Sequence, residues 1–207
     1  MPLGLFSRAF CKLFSIALLC IFLSVGVFSA EVRWDQETVK TVLKDEIESI
    51  KVIARDEVVV SSVVQHNNIK LAFEEILRRD RLWQKSGHLT ELKESLKTSD
   101  IGQFVETFKN TKSYYTEVFI ADDRGALVAA YPVTSDYWQG DEEKWSAIVE
   151  DGWPSYVSAM TFDESSESNI VQLAVPVHDQ QDVVGVLVVG IRLSHILMKQ
   201  VEKRSSN

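Results

Sequence analysis

Cysteine is nearly absent from this chain of 207 residues: its two examples, Cys11 and Cys20, both fall within the first thirty positions. The remainder has no thiol with which to form a disulfide, ligate zinc or attack a substrate. A domain of this length can bury a sufficient core without cross-links, so their lack does not argue against an oxidising compartment. Basic residues are also in deficit, 22 Lys and Arg against 30 Asp and Glu, for a formal charge of −8. That balance disfavours nucleic-acid binding, which needs a basic face for phosphate contacts. No Gly-x-Ser-x-Gly, phosphate loop or metal-binding helix occurs, and His66, His88, His178 and His195 form no His-x-His or His-x-x-x-His pair. The chain is therefore not expected to be an enzyme, and no cofactor or metal is expected. A glycosidase-type pair of carboxylates is the catalytic arrangement that sequence alone leaves open.

One long hydrophobic run is present, at the start. Arg8 and Lys12 precede or open an apolar stretch from Leu13 to Phe28, and residues 1–30 contain no acid, which is the layout of a secretory signal. Export to the periplasm or beyond is expected, and two readings stay open. Val27 and Ser29 form an acceptable cleavage site, whereas Leu13 to Ala30 approaches the roughly 18 to 20 apolar residues of an uncleaved membrane anchor. Leu19 before Cys20 does not suit a lipoprotein signal. Without Arg8 and Lys12 the 22 basic residues become 20 against 30 acids, a net charge of −10. The most apolar later segment, Val183 to Leu193, is too short to span a bilayer and carries Arg192.

After the leader the chain changes period once. From Asp35 to Val64 apolar residues recur at Val39, Leu43, Ile47, Ile50, Ala54 and Val58, steps of three or four that predict one long helix. The β-branched run Val58-Val59-Val60 makes Ser61 the expected place for any break. A second helix is predicted around Ile69, Ala72, Phe73, Ile76 and Leu77, capped by Asn67 or Asn68. A third carries Leu89, Leu92 and Leu96, then Ile101, Phe104, Val105 and Phe108, interrupted at Thr98 to Asp100. Beyond Lys112 the pattern is extended. Strands are predicted at Tyr114 to Ala121, Ala126 to Tyr131, Pro154 to Phe162, Ile170 to Val177 and Val183 to Arg192, with a turn at Asp122-Asp123-Arg124-Gly125. A helical half followed by five strands in hairpin succession predicts an α+β domain with an antiparallel sheet. No repeat or low-complexity linker divides it, so the expected organisation is a leader at 1–30 and one domain at 31–207. That domain would have a helical part at 31–112, a sheet at 113–193 and a tail or helix at 194–207.

Four pieces of the second half resemble a known family. Phe119-Ile120-Ala121-Asp122-Asp123-Arg124-Gly125-Ala126-Leu127-Val128, then Thr134-Ser135-Asp136-Tyr137-Trp138-Gln139-Gly140-Asp141-Glu142, then Leu173-Ala174-Val175-Pro176-Val177 and Val184-Gly185-Val186-Leu187 are similar, in order and spacing, to a single Cache domain. Cache domains are PAS-like extracytoplasmic sensory modules. The resemblance implies a five-stranded antiparallel sheet behind a long N-terminal helix, with a ligand held between the sheet and the loop and helix after the second strand. Family members sit in chemoreceptors, histidine kinases or diguanylate cyclases. Here about a dozen residues follow the last predicted strand. The expectation is thus a binding or sensory domain without its own effector, working through a separate membrane receptor, kinase or cyclase, or delivering its ligand. The first helix is the expected homodimer or coupling element. The competing expectation is an interaction or scaffold subunit whose pocket is filled by its own side chains.

The candidate ligand contacts are Tyr131, Tyr137, Trp138, Trp145 and Tyr156, with Asp136 and Asp163 as acids at strand ends. Aromatic rings with a few carboxylates suit a small organic cation or a flat ring, at roughly 0.5 to 2 kcal/mol per contact. Equally, large aromatics fill cores, and Trp145 stands at helical spacing from Ile148 and Val149. In Cache domains that bind amino acids an aspartate near Asp163 contacts the amino group. The matching arginine is missing, since Val133 to Trp145 contains Lys144 as its only cation, so the usual recognition of a carboxylate is in doubt. Asp163 could instead initiate a turn, and Asp136 could cap the helix that follows. Asp163, Glu164 and Glu167 form an acidic loop that matches no calcium-binding spacing.

Overall fold

A computed structural model describes residues 36–85, 91–164, 167–194 and 196. The leader predicted at 1–30, His88, His195 and most of the C-terminal tail lie outside the described residues. Helices α1 (Gln36–Val42), α2 (Lys44–Ile53), α3 (Glu57–Asn68), α4 (Phe73–Lys85), α5 (Glu91–Thr98) and α6 (Asp100–Asn110) come first. They are followed by β1 (Tyr115–Asp122), β2 (Leu127–Tyr131), α7 (Glu143–Val149), β3 (Tyr156–Val157), β4 (Thr161–Asp163), β5 (Ser168–Asp179) and β6 (Asp182–Arg192). The fold is α+β, as the sequence predicts, and every pairing in its sheet is antiparallel.

The sheet runs β2-β1-β6-β5-β3, with β4 also pairing β5. Alternation divides its side chains between two cores. Val118, Ile120, Leu173, Val175, Leu187, Val189 and Ile191 face a layer that includes Leu43 and Ile50 of the first helical run, Val59 and Val63 of α3, and Val105 of α6. Phe119, Ala121, Ala174, Val186 and Val188 face Trp145, Ala147 and Ile148 of α7. Both faces of the central strands are thus covered, which explains why β6 reads as an unbroken apolar run.

The helical half differs from the sequence expectation in where it breaks. Backbone hydrogen bonds continue through Leu43, but at Asp56 the chain leaves helical geometry at ψ 138°. There the Asp56 carboxylate accepts the Val58 N–H at 2.9 Å and starts α3. Ser61 lies inside α3, because burial of Val59 and Val63 against the sheet outweighs the weak helix propensity of the valine run. Asn67 does not cap the second helix. Its amide donates to the Val184 carbonyl at 2.8 Å and its oxygen accepts the Asp123 N–H at 3.3 Å, tying α3 to the sheet. The expected interruption at Thr98 to Asp100 is present, with the Ser99 hydroxyl accepting from Gly102 N–H at 3.2 Å. The predicted strand Pro154 to Phe162 divides into β3 and β4, where the Ser158 hydroxyl takes the Gln172 N–H that a ladder would have used.

Gly125 closes the β1–β2 turn at φ +81°, a left-handed conformation favouring glycine. His66, which the sequence leaves as structural or exposed, is structural: its Nδ1 lies 2.8 Å from Oδ2 of buried Asp122 at that turn.

Candidate functional site

Helix α7 covers only part of its sheet face. A hollow of about 330 Å³ on that face is lined by Thr116, Glu117, Pro132, Val133, Thr161, Asp163, Ile170 and Gln172. It draws on β1, the segment after β2, and the β4–β5 pair. The pairing of β1 with β6 shifts register between Tyr115 and Glu117. Such a bulge re-aims side chains, and here it brings both Thr116 and Glu117 against Gly190 of β6.

Gly190 is registered with Glu117 on one side and with Gln172 on the other. A Cβ built there would collide with the Thr116 hydroxyl and stand 2.7 Å from Glu117 Cγ. The Glu117 side chain uses the space that glycine leaves, and its Oε1 accepts a 2.7 Å hydrogen bond from Gln172 Nε2. The floor of the hollow is therefore a carboxylate and a carboxamide held in fixed relation over a bare backbone. Asp163, half-buried on β4, supplies a second carboxylate, and Thr116 and Thr161 add hydroxyls. The described lining contains no Lys, Arg or His. It is rich in acceptors and suits an ammonium group or another cationic donor. Arg192, on β6 and registered with Ile170, is anchored nearby through Nε to the Ser168 hydroxyl at 2.9 Å.

Of the residues that the sequence singles out, Asp163 lines this hollow. Tyr131 packs with the core on the opposite sheet face, where a hydrogen bond to Glu106 holds its hydroxyl pKa above the ordinary tyrosine value. Asp136 accepts a hydrogen bond from Gln139 Nε2, and burial raises its pKa against that bond. It does not cap α7, whose N-cap is Glu142. Tyr137 is fully buried, its ring 5.7 Å from that of Trp83 and its N–H donating to Asp80 of α4 at 2.9 Å. Trp138 donates from Nε1 to the Arg124 carbonyl at 2.9 Å and meets the Phe73 ring edge-on at 5.2 Å. Trp145 donates to the Asp122 carbonyl at 2.9 Å. Tyr156 donates to Glu143 at 2.8 Å, and burial together with that carboxylate pushes its pKa up to about 12. Lys144, the lone cation of this stretch, is buried beside Glu142 and the Phe119 ring.

Apart from Tyr131, the aromatic set thus packs into the core on the α7 face and fastens α4 to the loop after β2. Glu117, Gln172 and Gly190 are the residues that sequence reasoning missed. Their signal was present, as polar or absent side chains interrupting otherwise apolar strands. Pattern alone does not reveal that three separate strands bring them together. Among the described residues no cluster of His, Cys, Asp and Glu could hold a metal ion. No described helix is long and apolar enough to cross a membrane.

No family model matches the sequence, and no curated protein does. Solved structures do. The ligand-binding domain of the Pseudomonas aeruginosa PAO1 amino acid chemoreceptor PctC, in complex with GABA, aligns at 10% identity and TM-score 0.46 over 77% of this chain and 57% of that one. The sensor domain of the V. cholerae histidine kinase DctB aligns at 16% identity and TM-score 0.36, over 77% of this chain and 59% of that one. The sensory domain of the Campylobacter jejuni chemoreceptor Tlp3 with isoleucine bound aligns at 12% identity and TM-score 0.36, over 79% and 66%. This chain spans less than two thirds of the length of each of these three domains.

Proposed function

We propose that this chain is an extracytoplasmic sensory domain that holds a small amine-bearing molecule in the hollow above Gly190. The observation that carries the reading is the Glu117–Gln172 pair laid over glycine, with Asp163 across the hollow from β4. An ammonium group entering here would meet two carboxylates and replace its water with charge-assisted hydrogen bonds. A volume of about 330 Å³ falls in the range of small-molecule sites.

Binding produces a signal only when it favours one arrangement of the fold over another. The hollow is built to do so through β1. Glu117 lies just past the bulge from Tyr115, whose hydroxyl donates to Glu46 of α2 at 2.8 Å. A ligand that pulls Glu117 toward Asp163 loads the bulge, and the bulge is joined to the N-terminal helices through Glu46. Those helices would pass the change to a separate membrane receptor, kinase or cyclase, or to a second copy of the chain.

The packed aromatic layer under α7 favours the scaffold reading for that part of the fold, so the two readings need one experiment. Thermal unfolding of the chain is followed across a panel of amino acids, diamines and other small amines, beside neutral isosteres of each. The sensory reading expects a rise in Tm with at least one amine, and its loss in Glu117→Gln with folding preserved. A flat response to every amine in wild type favours the scaffold and ends the proposal.

A further inference from the structure

The two carboxylates of the hollow above Gly190 belong to different rows of the sheet. Glu117 stands in register with Gly190 and, beyond it, with Gln172 of β5. Its side chain leans over Gly190 to reach Gln172 at 2.7 Å, so the carboxylate has crossed from β1 toward β5. Asp163 of β4 is registered with Ser168, further along the same strand β5. Positions 168 and 172 are separated by roughly 13 Å, at about 3.3 Å per residue of strand.

Ile170 lies between them, paired with Thr161 on one side and with Arg192 on the other. Alternation puts residues 168, 170 and 172 on one face of β5, and Ile170, Thr161 and Gln172 all line the hollow. The hollow is therefore a trough along β5, with a carboxylate toward each end and the Ile170 side chain on its floor. Pro132 and Val133 add apolar surface. Each carboxylate can accept several hydrogen bonds, so the bond from Gln172 does not exhaust Glu117.

Anion, apolar floor, anion is the complement of a molecule with an ammonium group at both ends of an alkyl chain. A zwitterion fits it poorly. Its carboxylate would lie against Glu117 or Asp163 with no cation of the described lining to offset it. Arg192 is outside that lining and donates its Nε to the Ser168 hydroxyl. Two N–H···O bonds of about 2.8 Å, one at each end, leave roughly 7 Å between the ligand nitrogens. An extended chain advances about 1.25 Å per bond, so about five carbons bridge that gap. We propose that the hollow selects an α,ω-diamine of about this length, lying along β5 with one ammonium on Glu117 and the other on Asp163. The inference rests on the reading of the hollow as an amine site and narrows it to a doubly charged ligand.

Isothermal titration of the full chain with 1,5-diaminopentane tests it, beside 1-aminopentane, 5-aminopentanoate and 1,3-diaminopropane. The first two controls keep the length and replace one ammonium by a methyl or a carboxylate; the third keeps both charges and shortens the chain. Each control is expected to bind at least about tenfold more weakly than 1,5-diaminopentane, the loss of one charge-assisted pair. Glu117→Gln and Asp163→Asn should each abolish the advantage of 1,5-diaminopentane over 1-aminopentane, because each variant leaves one anionic end. A structural role for either residue would weaken both ligands alike and leave their ratio unchanged. Should a variant fail to fold, the four ligands on wild type decide. Equal affinity for 1-aminopentane, or tighter binding of 5-aminopentanoate, overturns the diamine and leaves the amine site standing. Binding of none of the four, with amino acids also silent, removes the amine site and the diamine with it.

Discussion

Glu117 and Gln172, on strands that do not pair with each other, are joined by a 2.7 Å hydrogen bond that passes over Gly190 of the strand between them. The bond exists because position 190 has no Cβ. Gly190→Ala would place a methyl against the Thr116 hydroxyl and 2.7 Å from Glu117 Cγ, forcing the carboxylate off Gln172. The expected cost is about 1–3 kcal/mol, the range for overpacking a well-filled site. Urea denaturation should show it. The double variant Gly190→Ala with Glu117→Ala should recover part of the loss, because it removes the Glu117 side chain and leaves only the Thr116 hydroxyl against the new methyl.

Acid should act at the other face of the sheet. Glu46 accepts from Lys112 Nζ at 2.7 Å and from the hydroxyls of Tyr114 and Tyr115 at 2.6 and 2.8 Å. Burial alone would raise its pKa, but these three donors outweigh burial and hold it below the ordinary glutamate value. A carboxyl whose pKa is lower folded than unfolded stabilises the fold fully above the unfolded value. That stabilisation is lost as pH falls through the folded one, because the unfolded chain takes up the proton first. Wild type should therefore lose stability on acidification below the ordinary glutamate range. Glu46→Gln should be less stable at neutral pH and show a shallower acid limb in the same window.

Asp122 organises the β1–β2 turn from the inside. Its Oδ1 accepts the N–H groups of Arg124 and Ala126 at 2.9 and 2.8 Å, and its Oδ2 lies 2.8 Å from His66 Nδ1. Asp122→Ala would orphan a buried N–H at Ala126 and the His66 ring together. A loss of about 2–4 kcal/mol is expected, from one or two unsatisfied buried groups. Hydrogen exchange at the Arg124 and Ala126 amides should accelerate well beyond that of the β5–β6 ladder, since the damage is local to the turn.

The fold was largely legible in the sequence and the site only in part, for different physical reasons. The change from a period of three or four to extended runs at Lys112 marked the passage from helices to sheet, and Asp122 to Gly125 marked the first turn. These are local signals, and they survive folding. The break at Asp56 was obscured because the apolar stripe runs on across it. A single Asp with a suitable backbone competes with that stripe, and periodicity does not weigh the two. The aromatic residues after β2 read equally well as pocket or core. Burial of Tyr137, Trp145 and Tyr156 decides for core, through partners on Asp80, Asp122 and Glu143 that are distant in sequence. Glu117, Gln172 and Gly190 lie on three strands, and only the register brings them into one place.

Tyr131 and Asp163 separate the sequence expectation from the geometry. Both were candidates for ligand contact, yet Asp163 lines the hollow while Tyr131 turns to the opposite face and bonds to Glu106. Once an amine that raises Tm is in hand, its affinity should fall about tenfold or more in Asp163→Asn, the usual scale for losing a charge-assisted hydrogen bond. Tyr131→Phe should leave that affinity within about twofold, because removing a hydroxyl on the far side of the sheet changes no donor or acceptor in the hollow. Calorimetric titration of the two variants against wild type measures both numbers. If Tyr131→Phe abolished binding while Asp163→Asn did not, the ligand would have to sit on the α6 side of the sheet, and the hollow above Gly190 would lose its role.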